Sequence, residues 1–191
     1  MAEFKRAERK LEEARICLES LKQSQNAVSA RTAFCSFVAH YRAVTYALQK
    51  DGAHVQGFAE WYGPKQTAMR GDQLLRYFHD ARVDDFHKGE ELLGFTTTVY
   101  SLGVPPPPTP GAELMMGGEG PFWVVNRGTS DEHRIPVQAM GEGHTRVYVK
   151  NPPREHKGQV LTSDSPVELC VHAFHFMAEL LHEARAHFAV T

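Results

Sequence analysis

The chain has 191 residues, 42% of them hydrophobic and 23% charged, and a formal net charge of -2. That length suits one domain with a substantial core, or one domain carrying an insert. The near-neutral balance argues against strong sequence-independent binding to nucleic acid, which draws on an excess of Lys and Arg, although local basic faces are compatible with it. Cys17, Cys35 and Cys170 are odd in number and far apart, so they read as reduced, buried thiols rather than a disulfide framework or a zinc site. The opening residues are charged, and no stretch approaches the ~20 apolar residues of a membrane-spanning helix. A cytoplasmic protein without membrane contact is the expectation.

Phe4, Ala7, Leu11, Ala14, Leu18 and Leu21 recur at steps of three and four, which predicts a first amphipathic helix ending at the polar cluster Ser24-Gln25-Asn26. A second helix is predicted from about Ser29 to Lys50, with Phe34, Phe37, Val38, Tyr41, Val44, Thr45 and Leu48 on its apolar face and Asp51-Gly52 as its stop. Residues 57–90 read as helical but interrupted at Gly63-Pro64, because proline lacks a donor and clashes with the preceding turn. A cleaner helix follows from Asp72, a good N-cap, burying Leu74, Leu75, Phe78, Ala81 and Phe86. It ends at Lys88-Gly89 or at Gly94.

From Phe95 to Tyr100 the β-branched and aromatic run predicts a strand. Pro105 to Pro108, with Pro110 and Gly111 after them, reads as an exposed extended linker. Further strands are predicted at Phe122–Val125, Arg134–Ala139 and Arg146–Lys150, the last two joined by a hairpin turn at Gly141-Glu142-Gly143. The glycine-rich Gly117 to Gly120 lacks the strand-to-helix setting of a phosphate loop. His133, His144 and His156 fall between elements and read as solvated. Ser165, Pro166 and Glu168 then supply N-cap, N1 and N3 of a capping box, opening a last helix whose apolar face runs from Cys170 to Phe188. That face needs helical partners, and they lie before residue 90. The expected fold is therefore mainly α: residues 1–94 and 165–191 form a bundle, with residues 95–164 a small antiparallel β-rich insert before the last helix, in the same domain.

Three segments resemble the HEPN superfamily. Thr32 to Lys50 looks like the long second helix of uncharacterised bacterial members. Phe58-Ala-Glu-Trp-Tyr62, then Leu74-Leu-Arg-Tyr-Phe-His-Asp-Ala-Arg82, look like the approach to the family signature, an Arg and a His four to six residues apart. Here that signature is Arg82-Val-Asp-Asp-Phe-His87. The resemblance covers the helical parts and implies an up-and-down bundle. Many HEPN proteins are metal-independent endoribonucleases, often toxins with a cognate antitoxin, that act as homodimers with both Arg-His pairs facing one cleft. Others are non-catalytic modules for dimerisation or for binding RNA or a protein partner. Val83 follows the arginine where catalytic members usually carry a polar residue, and Gly89 stands where one variant carries a modifiable tyrosine.

The chemistry expected of such a pair needs no cofactor. Histidine, with an ordinary pKa of ~6.5, suits removal of the 2′-OH proton, and arginine's planar fork suits the phosphate oxygens. His87 is then the general base or acid, Arg82 the phosphate clamp, and Asp84 the group that orients His87. Arg76 and His79 are the candidate substrate contacts. Five helical residues rotate by ~500°, so Arg82 and His87 point about 140° apart and need a partner subunit or a loosened helix end to converge. A rival reading takes Asp84-x-x-His87 and Glu179-x-x-His182, with His175 near the latter, as two halves of a di-metal site of ferritin type. A third takes the chain as an interaction module, with Phe122, Trp123 and Tyr148 on a binding surface.

Overall fold

The computed structural model describes residues 3–83, 91–103, 105–117, 120–137 and 140–188. Among these are five helices and seven strands, and the chain divides into two compact units, residues 1–95 with 147–191, and residues 96–146. Helices make up the larger part and small antiparallel sheets the rest, so the architecture is mixed α/β rather than strictly the helical bundle expected.

In the first unit, α1 (Lys5–Lys22) and α2 (Ala27–Gly52) are joined by the polar cluster read as a break. Asn26 within it caps α2: its side chain accepts from the Ser29 amide at 2.9 Å, and Ser29 Oγ answers towards the Asn26 amide at 3.4 Å. The start of α1 has no such neighbour, because Phe4 stands at the cap. Instead the amides of Arg6 and Ala7 donate to Asp51 Oδ2 at 2.9 and 3.1 Å, so a residue at the end of α2 satisfies the orphan donors of α1. His40 Nδ1 lies 2.9 Å from Glu13 Oε2, which with the Asp51 contact makes the two helices antiparallel.

α3 (Phe58–Gly71) runs through Pro64 without a break, contrary to the expected interruption. Pro64 and Glu60 are both exposed, so the carbonyl that loses its i+4 donor faces water and can bond there. α4 (Gln73–Val83) starts where the sequence places it, with Asp72 Oδ1 accepting from the Leu75 amide at 3.0 Å. α5 (Pro166–Phe188) has Ser165 at its N-cap, its hydroxyl 3.4 Å from the Glu168 amide. The core is aromatic. Phe78 of α4 meets Phe34, Phe37 and Tyr41 of α2 with ring centroids 5.3–6.1 Å apart. At the other end Phe4, Phe58 and Phe188 cluster at 5.8–6.2 Å. α5 fills the core through Leu169, Ala173, Met177, Leu181 and Ala184, all buried. Cys170 is buried as well, Cys17 and Cys35 are half-buried, and none of the three forms a disulfide.

β1 (Leu93–Gly103) pairs with β5 (Met140–Val149), antiparallel by its contacts: the Lys150 amide donates to the Leu92 carbonyl at 2.9 Å, and Thr97 Oγ1 lies 3.1 Å from Thr145 Oγ1. This corrects the predicted hairpin at Gly141-Glu142-Gly143, which lies inside β5. The expected strand Arg134–Ala139 is β4 (His133–Pro136), and its partner is β3 (Gly120–Val125), with Trp123 opposite Ile135. β2 (Glu113–Gly117) covers the other edge of β3, Gly117 opposite Gly120. Between β1 and β2, residues 105–107 form the expected linker without regular structure.

The segment 147–164 belongs to the helical unit. It contains a hairpin of β6 (Glu155–His156) and β7 (Gln159–Val160), turned by Lys157 and Gly158 at φ 50° and 74°, the positive pair that a tight primed turn requires. His156, read as solvated, is 8% exposed and bonds through Nδ1 to Asp72 Oδ2 at 3.0 Å. The ring is drawn in because the α4 cap supplies a buried carboxylate for it. His133 is exposed, as expected, and the His144 side chain lies outside the described residues.

Candidate functional site

α4 is amphipathic in a way that fixes what it presents. Leu74, Leu75, Phe78 and Ala81 are buried, and Arg76, His79 and Asp80 are exposed. The exposed set borders a cavity of about 390 Å³ within the helical unit. α2 contributes Tyr41, Arg42, Thr45 and Gln49, which fall at steps of three and four and so share one side of the helix. α3 contributes Tyr62, Gln66 and Arg70 on the same spacing, together with Met69. Leu75 and Met177 add apolar surface.

The lining is basic: three guanidinium groups, from Arg42, Arg70 and Arg76, stand against one carboxylate, Asp80. Asp80 lies 3.8 Å from Arg76 Nε and 3.0 Å from His79 Nδ1. All three side chains are more than half exposed, so these pairs are weak, each worth roughly 0–1 kcal/mol. An incoming phosphate would compete for Arg76 at little loss. Arginine also matches phosphate geometry, offering two parallel donors.

Deeper in the same lining, Tyr41 and Tyr62 are buried; the Tyr41 hydroxyl finds no hydrogen-bond partner among the described residues, while the Gln49 side chain reaches that of Tyr62. A buried unsatisfied hydroxyl costs about 1–3 kcal/mol. Burial pushes the Tyr41 hydroxyl far above its ordinary range, with Arg42 pulling the other way. Burial likewise raises Tyr62, against the nearby Gln49 amide and Arg42. Both groups therefore stay protonated at neutral pH.

Of the residues singled out in the sequence, Arg76 and His79 lie at this cavity. Arg82 lies at the end of α4, but its side chain, with all of Asp84 and His87, is outside the described residues. Phe86 and the helix end at Lys88-Gly89 fall outside them too. On the last helix, Glu179 is engaged by Lys157 Nζ at 2.6 Å, which holds its carboxyl below the usual range. Among the described residues no group of three or more His, Cys, Asp and Glu is placed to hold a metal ion. Nor is any described helix long and apolar enough to cross a membrane. The sequence reading missed Tyr41 and Tyr62, taken as core and lead-in aromatics, and Arg42 and Arg70 as well. Their signal was the polar spacing Arg42-Thr45-Gln49 and Tyr62-Gln66-Arg70, one stripe on each helix.

Residues 4–96 match the family described as bacteriophage lambda protein ea47. The match is to just under half of the chain. It takes in α1 to α4 and the start of β1, and so every cavity residue except Met177. No curated protein and no solved structure matches.

Proposed function

We propose that the helical unit acts on RNA as a HEPN-type module, cutting the strand without a metal ion through Arg82 and His87 of two associated copies. The observation that supports this reading is the basic cavity beside α4, where Arg42, Arg70, Arg76 and His79 offer a phosphate chain a place to lie. α4 leads from that cavity to Arg82, and the sequence reaches His87 five residues later.

In the proposed reaction one His87 takes the 2′-OH proton and the freed oxygen attacks the adjacent phosphorus. Arg82 draws charge from the non-bridging oxygens as the phosphorane forms. The bond to the 5′ oxygen breaks, and a protonated His87 of the second copy donates to that leaving oxygen. The products are a 2′,3′-cyclic phosphate and a 5′-hydroxyl. Asp84 orients the imidazole, while Arg76 and His79 hold the flanking strand.

Incubating wild type, Arg82→Ala and His87→Ala with RNA in EDTA tests this directly. Wild type is expected to cut, and each variant to lose about 100-fold or more in rate, as general-acid–base groups contribute about 10²–10⁴-fold. A wild type that retains RNA on a filter but leaves it intact would point to a non-catalytic binding module, a role that Val83 beside Arg82 favours. A wild type that neither binds nor cuts several RNAs would sink both.

A further inference from the structure

The cap of α4 also prepares an imidazole. His156 of β6 bonds through Nδ1 to Asp72 Oδ2 at 3.0 Å, and the Leu75 and Lys157 amides pin that carboxylate at 3.0 and 2.9 Å. A ring nitrogen facing a carboxylate carries the proton, so Nε2 of the neutral ring keeps its lone pair. Nε2 has no hydrogen-bond partner among the described residues, and it is not one of the fully buried atoms left without one. A carboxylate behind one ring nitrogen, with the other left open, is the arrangement that orients metal-ligating histidines. The side chain is held before any ligand arrives. His172, on the exposed side of α5, faces it with ring centroids 6.2 Å apart and planes inclined by 58°. Two imidazoles on one tetrahedral ion, each nitrogen about 2.0–2.1 Å from it, place their centroids about 5 Å apart. A gap of about 1 Å closes by a small rotation of the exposed His172 side chain. Phe176 walls the place on one side, edge-on to His156 at 6.0 Å. The surrounding charge suits a cation: Asp72 and Glu179 stand against Lys157, whose ammonium is engaged by Glu179 at 2.6 Å.

We propose that His156 and His172 bind one transition-metal dication of the zinc, nickel or copper class, water completing its shell, and that the ion clasps β6 to α5. Nitrogen donors select such ions over magnesium and calcium, which take oxygen. Two protein ligands suffice for a clasp of this kind, so it needs no larger cluster of His, Cys, Asp and Glu. Its parts come from three distant places in the chain: the residue before α4, the β6–β7 hairpin and the first half of α5. The ion would therefore tie the segment that follows the 96–146 unit to the helices on which it rests. The site stands apart from the RNA-directed reading, whose chemistry uses no metal.

The test is calorimetric titration of the untagged full chain, stripped with EDTA and then freed of it, with Zn²⁺, Ni²⁺ and Mg²⁺. One equivalent of Zn²⁺ or Ni²⁺ is expected to bind and Mg²⁺ is not, and saturating Zn²⁺ is expected to raise Tm by several degrees. His172→Ala removes an exposed ring outside the core, so the metal-free Tm stays level while Zn²⁺ affinity falls about tenfold or more. Asp72→Asn leaves both ligands in place but cannot orient His156 as a carboxylate does, and is expected to weaken binding about 10–100-fold. His54→Ala, at an exposed histidine beyond the end of α2, is expected to bind as wild type does. A chain that takes up no Zn²⁺ or Ni²⁺, or one whose affinity survives His172→Ala, would overturn the proposal. So would several equivalents lost in equal part by His54→Ala and His172→Ala, the mark of scattered surface imidazoles.

Discussion

Asp72 serves three partners with one carboxylate. It caps α4 through the Leu75 amide at 3.0 Å, accepts from the Lys157 amide at 2.9 Å, and bonds His156 Nδ1 at 3.0 Å. Burial pushes its carboxyl up, but the two amides and the imidazole outweigh that effect and leave it below its ordinary value of 3.8. A carboxyl lowered by folding adds stability that is complete above the unfolded value and fades as pH falls through the folded one. The contribution of Asp72 is therefore level near neutrality, begins to fade near pH 3.8 and is gone only below its lowered folded value. Asp72→Ala is expected to lose about 2–3 kcal/mol in urea unfolding at pH 7, combining a lost cap with an imidazole and an amide left unpaired. Asp72→Asn keeps an acceptor for the cap, so it should lose less and show a flatter acid limb. A variant as stable as wild type at pH 7 would show that the β6–β7 hairpin is held by other contacts.

At the scale of elements, the end of α2 is set by a close approach. A Cβ on Gly52 would lie 2.4 Å from the Phe58 ring, which is packed among Tyr62, Phe4 and Phe188 and has nowhere to retreat. Gly52→Ala is expected to destabilise by about 1–3 kcal/mol, seen as a Tm lower by several degrees. An unchanged Tm would mean that the ring can swing outward. The sequence reads Asp51-Gly52 as a stop, which is local information, but the capping of α1 by Asp51 is invisible there because it joins positions 45 residues apart. The same division runs through the fold. α1, α2 and α5 are legible because a 3.6-residue period states which face is buried. The pairings of β1 with β5 and of β3 with β4 are not, since several short apolar runs fit one another equally well and only the whole chain selects among them. The cavity escapes for a related reason. Tyr41 and Tyr62 look like core in one dimension, and only the meeting of four helices reveals that they also line a cavity.

For the whole molecule, the helical unit is discontinuous in sequence, with residues 96–146 forming a unit of their own. Thr97 and Thr145 stand side by side on β1 and β5, with Oγ1 atoms 3.1 Å apart. Replacing residues 98–144 by Asn-Gly, the pair suited to a two-residue hairpin, is expected to leave a helical protein that unfolds in one cooperative step with Tm within several degrees of wild type. A fragment ending at residue 96 is expected to show no cooperative transition, since it lacks Leu169, Ala173, Met177, Leu181 and Ala184 from the core. Cooperative melting of that fragment, or collapse of the shortened chain, would reverse this division of labour.

The distance in sequence between α4 and α5 also has a consequence in time. A ribosome adding about 5–20 residues per second needs roughly 5 to 20 s to travel from the start of β1 to the close of α5. Throughout that interval Phe34, Phe37 and Phe78 have no helix to complete their enclosure. A nascent chain in this condition offers chaperones a greasy, half-built groove, and the speed of translation across the intervening strands becomes part of how reliably the protein matures.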